Sequence, residues 1–571
     1  MSRSPSSTPW RRADSAPGPF GEELASHRSD ERGRRWIYAP YDQLGAHCGP
    51  LAESAPRELG LVLIESRSKA ERRPYHKQKL ALVLANQRRF ALEQARRGVA
   101  VRYLLHAGDP GEVLEASAAE LGPLALQEPA ERELRHELAP LVERGALHVL
   151  ENEFWLTRSA DFEASVGQGP PWRMDRFYRH LRRSRKLLME ADGSPVGGQF
   201  SFDADNRRPW RGDPPAPEPP RFRVDALLRE VGELIECQFA AHPGQLDLGA
   251  LPTSARHAQS TWAWAREQCL PAFGPYEDAF SQNSRGLFHT RLSPLINLGR
   301  LSAQQVLDEA LTSDAPLASV EGFVRQLLGW REFVRHVHRA SDGFRTWTGP
   351  ARQGAEGAGD GGWARATDPA APQPEPDSRW AGAWPSFLEA HEPLPAAYWG
   401  APSGLACLDR VVREVWEDGY VHHIERLMIL SNFATLLGVE PRELTDWFWV
   451  GFLDAYDWVV EPNVLAMGSF AVGDWMTTKP YVSGAAYLAR MGDDCSSCAF
   501  DPKRDCPFAR LYWAFLERNA ERLRGNPRVA MPLRSVARRS ATERAADAAL
   551  YEHVRARLGA GLALSPEGLA G

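Results

Sequence analysis

Residues 76–106 read HKQKLALVLANQRRFALEQARRGVAVRYLLH. Within His76–Arg97, Leu80, Leu84 and Phe90 are spaced for the buried stripe of a helix, and Val99–His106 is a short β-rich run. Similar runs lie at Leu61–Glu65 just before it, at Trp36–Tyr41, and at Leu147–Leu156. Strands alternating with helices predict a parallel α/β layer, here a Rossmann-like domain over residues 34–160. From about Val224 the strand signal fades, and Val320–Val337, Leu408–Leu437 and Cys506–Leu523 read as helices, so an all-α domain is expected over 224–555. The stretch 161–223, with a helix at Met174–Glu190 and the Gly/Pro-rich Gly193–Pro220, reads as the connection between them. Residues 1–33 are polar and rich in Pro and Ser, which predicts a disordered tail. A second tail is expected over 556–571, and Ser341–Ala381, rich in Gly, Ala and Pro, reads as a surface insertion.

A chain of 571 residues exceeds what one hydrophobic core organises. Its 43% hydrophobic and 25% charged residues exclude a fibrous or mostly disordered class. No run approaches the roughly 20 apolar residues of a bilayer span, and the basic N-terminus has no apolar segment behind it, so no membrane association and a cytoplasmic location are expected. A net charge of −6 argues against nucleic acid only on average, because it balances 68 Lys and Arg against 74 Asp and Glu. Nineteen tryptophans are many for this length, and suit a large core, stacking on a planar ligand, or electron transfer.

Seven cysteines form no disulfide framework, but Cys495-x2-Cys498-x7-Cys506-Pro507, with Cys407 upstream, has the spacing of a metal centre. Four thiolates suit either an iron–sulfur cluster or zinc, and spacing does not separate the two. In Gly419–Met428, His422 and His423 lie in an apparently continuous helix, where adjacent residues point about 100° apart and only one faces a given pocket. Arg426 follows them, and the acidic Asp454-Ala455-Tyr456-Asp457 lies downstream. Phe288-His289-Thr290-Arg291-Leu292-Ser293-Pro294 offers hydroxyls and a cation ahead of a helix, as a phosphate site does, although an N-cap explains it equally. Arg176, Arg179, Arg183 and Lys186 share one helical face, and a second basic strip runs from Arg518 to Arg544. Solvated surface is the ordinary reading of such strips; two of them in an acidic chain suggest a groove that follows phosphates.

The order and spacing of several motifs resemble the photolyase/cryptochrome superfamily, and within it the bacterial iron–sulfur branch that includes prokaryotic (6-4) photolyases. The resemblance runs from about Trp36 to Arg538. It rests on Tyr41-Asp42-Gln43-Leu44, His76-Lys77-Gln78-Lys79, Met174–Tyr178, Phe202–Arg207, Phe273–Ala279, Thr290–Pro294, Gly329-Trp330-Arg331-Glu332-Phe333, the histidine pair, Pro462-Asn463-Val464-Leu465, Lys479-Pro480-Tyr481-Val482 and the cysteine pattern. It implies an antenna-chromophore domain followed by a helical FAD-binding domain with a [4Fe–4S] cluster on Cys407, Cys495, Cys498 and Cys506. The implied antenna is 6,7-dimethyl-8-ribityllumazine near Asp42 and Glu65. The implied flavin set is Tyr276, Thr290, Arg291, Leu292, Ser293, Arg331, Arg426 paired with Asp454, Asp457, Val460 and Asn463.

By the same resemblance His423, beside His422, passes a proton to the photoproduct, a task suited to a side chain that ordinarily titrates near neutral pH. Trp330 and Tyr481 wall the pocket for the flipped lesion. Trp399 and Trp447 match an electron-transfer chain to the flavin. The family's next tyrosine is Phe448 here, which is too hard to oxidise, and Trp449 is the substitute the sequence offers. The residue facing flavin N5 is Val460, where the branch usually carries Glu, and Glu461 stands one position on. The expected activity is light-driven repair of UV-damaged DNA by a monomeric enzyme, with (6-4) lesions as the preferred substrate. A blue-light sensor with the same cofactors and no repair is the alternative, and a light-independent iron–sulfur DNA-binding module ranks below both.

Overall fold

The computed structural model describes residues 10–351 and 383–569. The insertion expected over 341–381 therefore lies outside the described residues beyond Ala351. The chain divides into two compact units, one comprising the stretch up to Leu156 with Pro219–Trp264 and Leu292–Val306, the other Thr157–Glu218, Ala265–Arg291 and the chain from Leu307 onward. Among the described residues no helix is long and apolar enough to cross a membrane.

The first unit is built on a six-stranded sheet. Its strands are β1 (Trp10–Arg12), β2 (Arg35–Tyr38), β3 (Leu59–Ser66), β4 (Ala100–His106), β5 (Leu124–Gln127) and β6 (Leu147–Leu150), in the order β1-β4-β3-β2-β5-β6. All neighbours are parallel except β1 on β4. Central β3 is buried over its first six residues, which is why it reads as an apolar run rather than an alternating one. Gly60 in β3 leaves room for the Trp36 ring, which a Cβ there would strike. The helix Lys77–Arg96 starts where His76 Nδ1 accepts the Gln78 amide at 3.0 Å, and ends before Gly98, whose φ of 93° only glycine adopts freely.

Three expectations change in this unit. The predicted N-terminal tail is ordered from Trp10: β1 extends the sheet, and the helix Pro19–Ser26 buries Phe20 and Leu24, with Phe20 edge-on to Tyr103 at 4.7 Å. A few well-placed apolar side chains outweigh a polar composition. The α/β unit also takes in the helix Ala226–Gln238, assigned from sequence to the all-α domain, because Leu227, Leu228, Val231 and Ile235 are buried and Arg88 reaches Glu230 at 2.9 Å. The short β5 escaped the sequence pattern altogether.

The second unit is helical, with only isolated bridges among its described residues. The expected connection 161–223 is part of this unit as far as Glu218. Its helix stops at Ser184, where the buried Arg182 guanidinium binds the carbonyls of Leu187, Leu188 and Phe200. The predicted tail 556–571 is helical in part, since one helix runs from Ala541 to Gly559 and another covers Pro566–Leu569. The predicted helix Leu408–Leu437 is two. Ala406–Asp418 ends at Gly419, which takes a left-handed φ of 64°, and the next helix begins at His423 with His422 as its extended N-cap.

Candidate functional site

The break at Gly419 undoes the argument that the two histidines diverge by a helical step. Freed from the helix, His422 stacks on His289 with ring centroids 4.3 Å apart and 7° between planes, and His423 meets the same His289 edge-on at 5.4 Å. Burial, reinforced by the neighbouring imidazoles, holds His289 and His422 well below the usual histidine range. Two neutral rings can stack without repulsion. His289 Nε2 and His422 Nδ1 are buried without a hydrogen bond from the described residues, His422 Nε2 lies 3.2 Å from an oxygen of the buried Glu425 carboxyl, and His423 is exposed. Asp278 lies within electrostatic reach of His423, accepts the Tyr487 hydroxyl at 3.2 Å, and is held above the usual carboxylate range by burial. His289 and Asp278 stood in quoted motifs, but only the tertiary fold brings them to the histidine pair.

Behind this cluster Arg426 binds Asp454 at 2.9 and 3.2 Å and the Val421 carbonyl at 2.7 Å, and its guanidinium lies over Phe452 at 4.2 Å. Arg291, in a left-handed backbone of φ 53°, sits over Tyr420 at 4.5 Å. Thr290 and Arg291 are half-buried, Leu292 is buried, and Ser293 opens the helix Ser293–Asn297. Tyr276 donates to the Asp213 carbonyl and faces Phe288. Arg331 binds Glu332 and lies over Trp458, the buried Asp457 accepts the Trp458 amide, and Asn463 donates to the Val459 carbonyl. Three of these positions fall in π-helical stretches, Arg325–Arg331, Arg426–Ser431 and Glu461–Gly468. A π-turn inserts a residue and re-aims the side chains after it, a device concentrated at functional sites.

Glu461 is not available to replace a glutamate at Val460. It is buried between His338 and Arg442, at 2.8 Å from each, and hydrogen bonding to His338 with the Arg442 charge overrides burial to hold it far below the usual range. Val460 itself is buried.

The tryptophans form a connected series. Trp447 touches Tyr398, Trp416, Phe448 and Phe452, and Trp416 in turn stacks on Trp399. Trp449 is buried. Trp416 carried no sequence signal, since a tryptophan on an amphipathic helix reads as core.

Cys407, Cys495, Cys498 and Cys506 line one cavity together with Leu405, Phe500 and Phe508. Among the described residues no three His, Cys, Asp or Glu side chains converge as a single ion requires. Burial raises Cys495 to about 11 and Cys506 to about 12, and Cys407 well above its usual value. Four thiols around one cavity could hold either an iron–sulfur cluster or a zinc ion.

In the α/β unit, buried Asp42 follows the carboxyl end of β2, at the switch point where strand order reverses between β2 and β5. Glu65, near the end of β3, is instead bound by Arg88 at 2.9 and 3.0 Å and by the Tyr103 hydroxyl at 2.8 Å. It lines a cleft of about 490 Å³ with Trp10, Phe20, His106 and Phe239, a lining that does not include Asp42.

The first basic strip is exposed and the second is so in part, since Arg518, Arg539 and Arg544 are half-buried. Arg176, Arg183 and Lys186 pair with no carboxylate among the described residues, and Arg179 only with Asp175 at 3.8 Å. Arg528, Arg534 and Arg538 are likewise exposed and unpaired among the described residues. Arg528 and Arg207 act electrostatically on both Lys479 and Tyr481, so this strip comes up against one wall of the expected lesion pocket. The other wall residue, Trp330, is half-buried and edge-on to Phe333.

Residues 35–249 match the family described as deoxyribodipyrimidine photo-lyase-related protein. The chain is 33% identical over 518 residues to a (6-4) photolyase of Agrobacterium fabrum, an alignment covering 87% of this chain and 94% of the relative. A shorter match, 33% identical over 102 residues, is to the uncharacterized protein R855 of Acanthamoeba polyphaga mimivirus; it covers 18% of this chain and 80% of that protein. Among solved structures, a bacterial class III photolyase from Agrobacterium tumefaciens aligns at 15% identity and a TM-score of 0.47, covering 92% of this chain and 99% of that one.

Proposed function

The chain belongs to the photolyase/cryptochrome superfamily, and from that premise we propose that it repairs UV-damaged DNA in light, acting on (6-4) pyrimidine photoproducts. The observation that carries this reading is an exposed His423 set against the neutral, buried pair His289 and His422, with Asp278 in reach.

The residues fit a flavin. Arg291 and the hydroxyls of Thr290 and Ser293 suit a diphosphate, Arg426, fixed by Asp454, would supply a cation to the isoalloxazine, and His289 Nε2 and His422 Nδ1, unbonded among the described residues, offer polar contacts. Tyr276, Leu292, Arg331, Asp457, Val460 and Asn463 complete the proposed set. Reduced FAD, when bound and excited by blue light, supplies the electron that the lesion needs. Trp330 and Tyr481 hold the extruded dinucleotide by stacking. Lys479, Arg207 and Arg528 neutralise the flanking phosphates. An N–H of His423 donates its proton to the photoproduct as the electron arrives, and the same nitrogen recovers it when the bond has rearranged. His289 and His422, kept neutral by burial, set the ring of His423 without competing for that proton.

Cys407, Cys495, Cys498 and Cys506 would hold a [4Fe–4S] cluster, and a lumazine antenna would lie at the Asp42 switch point. The test is chromatography of an oligonucleotide carrying one defined (6-4) lesion, illuminated with reduced wild-type protein or His423→Ala. Loss of a positioned proton donor costs about 10²–10⁴-fold, so repair should fall by at least about a hundredfold at unchanged flavin content. Repair by His423→Ala at the wild-type rate would overturn the assignment.

A further inference from the structure

We propose that Glu425 is a positioning residue for the repair reaction: its buried carboxyl, in the acid form, fixes the ring and the N–H of His422 and keeps that ring from taking the proton that His423 delivers. The proposal rests on the repair reading above and assigns a residue which that reading leaves unused.

The short helix His423–Glu425 places Glu425 three residues beyond its N-cap His422, so the two side chains meet. Glu425 Oε2 lies 3.2 Å from His422 Nε2, both side chains being 1% exposed, and Glu425 Oε1 lies 2.8 Å from Arg410 Nη2. Arg410, on the helix Ala406–Asp418, also binds Asp494 at 2.6 and 3.0 Å and Glu414 at 3.2 Å, and all three are buried. The ionisable groups around Glu425 are thus His422, Arg410, Glu414 and Asp494, with Tyr420, itself held above its usual value by burial, feeling its charge. His289 stacks on His422 and meets His423 edge-on, so whatever fixes His422 bears on the whole histidine cluster.

One guanidinium faces three carboxyls. Full ionisation would bury two uncompensated negative charges together, and a proton on one carboxyl relieves that cost. Glu425 is placed to hold it, since Asp494 takes two bonds from Arg410 and Glu425 meets it through one oxygen. Burial lifts Glu425 to about 7 against the pull of Arg410, with Glu414 adding to the rise. Glu414 is itself raised by burial, while Arg410 and Arg285 draw it down.

A protonated Glu425 donates its O–H to His422 Nε2, and the proton of the neutral ring then sits on Nδ1. The proton given to the photoproduct comes from His423 alone. An ionised Glu425 draws the ring proton to Nε2 and stabilises a second proton on His422, which His423 then loses. Repair should therefore decline as pH rises through the titration of Glu425.

The experiment follows repair of a defined (6-4) oligonucleotide in blue light, from pH 6 to pH 8, by flavin-loaded, chemically reduced wild-type protein, Glu425→Gln and Glu425→Ala. Glutamine keeps a neutral donor beside His422 at every pH. One unit above its pKa about a tenth of a carboxyl remains protonated, so the rate of Glu425→Gln relative to wild type should rise about tenfold from pH 6 to pH 8. The contribution of His423 cancels in that ratio. Glu425→Ala, which removes the partner of His422, should be slower than Glu425→Gln throughout, by about tenfold. In darkness, the infrared carbonyl band of a protonated carboxyl, taken as wild-type holoprotein minus Glu425→Gln, should be present at pH 6 and fade by pH 8. A constant ratio of Glu425→Gln to wild type from pH 6 to pH 8, the result of a merely structural role, would overturn the proposal, as would repair by Glu425→Ala at the glutamine rate. Absence of repair by wild-type protein at every pH would instead count against the repair reading, and the infrared titration would still decide whether Glu425 holds the proton.

Discussion

Glu461 shows how a neighbour in sequence can be remote in chemistry. Its carboxylate binds both His338 and Arg442, and Arg442 depends on it and on Asp446 for charge compensation. Removing one partner of a buried ion pair costs about 3–5 kcal/mol, so Glu461→Gln should lose stability of that order in urea unfolding. Because the folded carboxyl is held below its usual value, this stabilisation is complete above the ordinary carboxylate range and is lost as pH falls through the folded pKa; the variant should flatten that acid limb. Phe448 and Trp449 give a second residue-level expectation. Phe448→Tyr places an oxidisable ring against Trp447 and should quicken flavin photoreduction, and Trp449→Phe removes the substitute relay that the sequence offers and should slow it. An unchanged rate in both variants would contradict this. The cysteines, Arg426 with Asp454, and the histidine pair were legible because motif order carries them. His289, Asp278 and Trp416 were not, because their partners lie over a hundred, two hundred, or about thirty residues away and only packing chooses them.

Helix ends decide more here than helix lengths. The periodicity of Leu408–Leu437 gave no reason to stop, yet Gly419 stops it, and the extended His422 that follows is what lets both histidines reach His289. At the helix Pro441–Gly451 the cap is a glutamate: Glu440 accepts the Glu443 amide at 2.8 Å, and burial raises its carboxyl to about 7. An unfolded glutamate loses its proton near 4.5, so between about 4.5 and 7 the folded state binds more protons and stability declines as pH rises. Glu440→Gln keeps an acceptor oxygen and removes the ionisation. Its melting temperature should exceed that of wild type at pH 8 and converge with it near pH 5. Parallel melting curves for the two proteins across that range would contradict the assignment. The N-terminal strand and helix show the converse limit of sequence reading. Composition made them a tail, and Trp10, Phe20 and Leu24 made them structure.

The whole chain carries a net charge of −6, yet both basic strips present exposed arginines, and the strip containing Arg528 acts on Tyr481. Binding to damaged duplex should therefore weaken steeply with salt. Arg528→Ala should lower the slope of log K against log salt by about 1 without changing preference among lesions. The division into an α/β layer and a helical unit was visible in the alternation of strand and helix patterns. The return of 219–264 and 292–306 to the α/β unit was not, because a covering helix has the same periodicity whichever core it covers. The central claim is catalytic, and its most direct measurement is the fate of one oligonucleotide with a defined (6-4) lesion and another with a cyclobutane dimer, incubated with reduced protein in blue light and in darkness. The account predicts light-dependent restoration of the (6-4) strand, no restoration in darkness, and little effect on the dimer. Bound flavin with neither lesion repaired in light would contradict it.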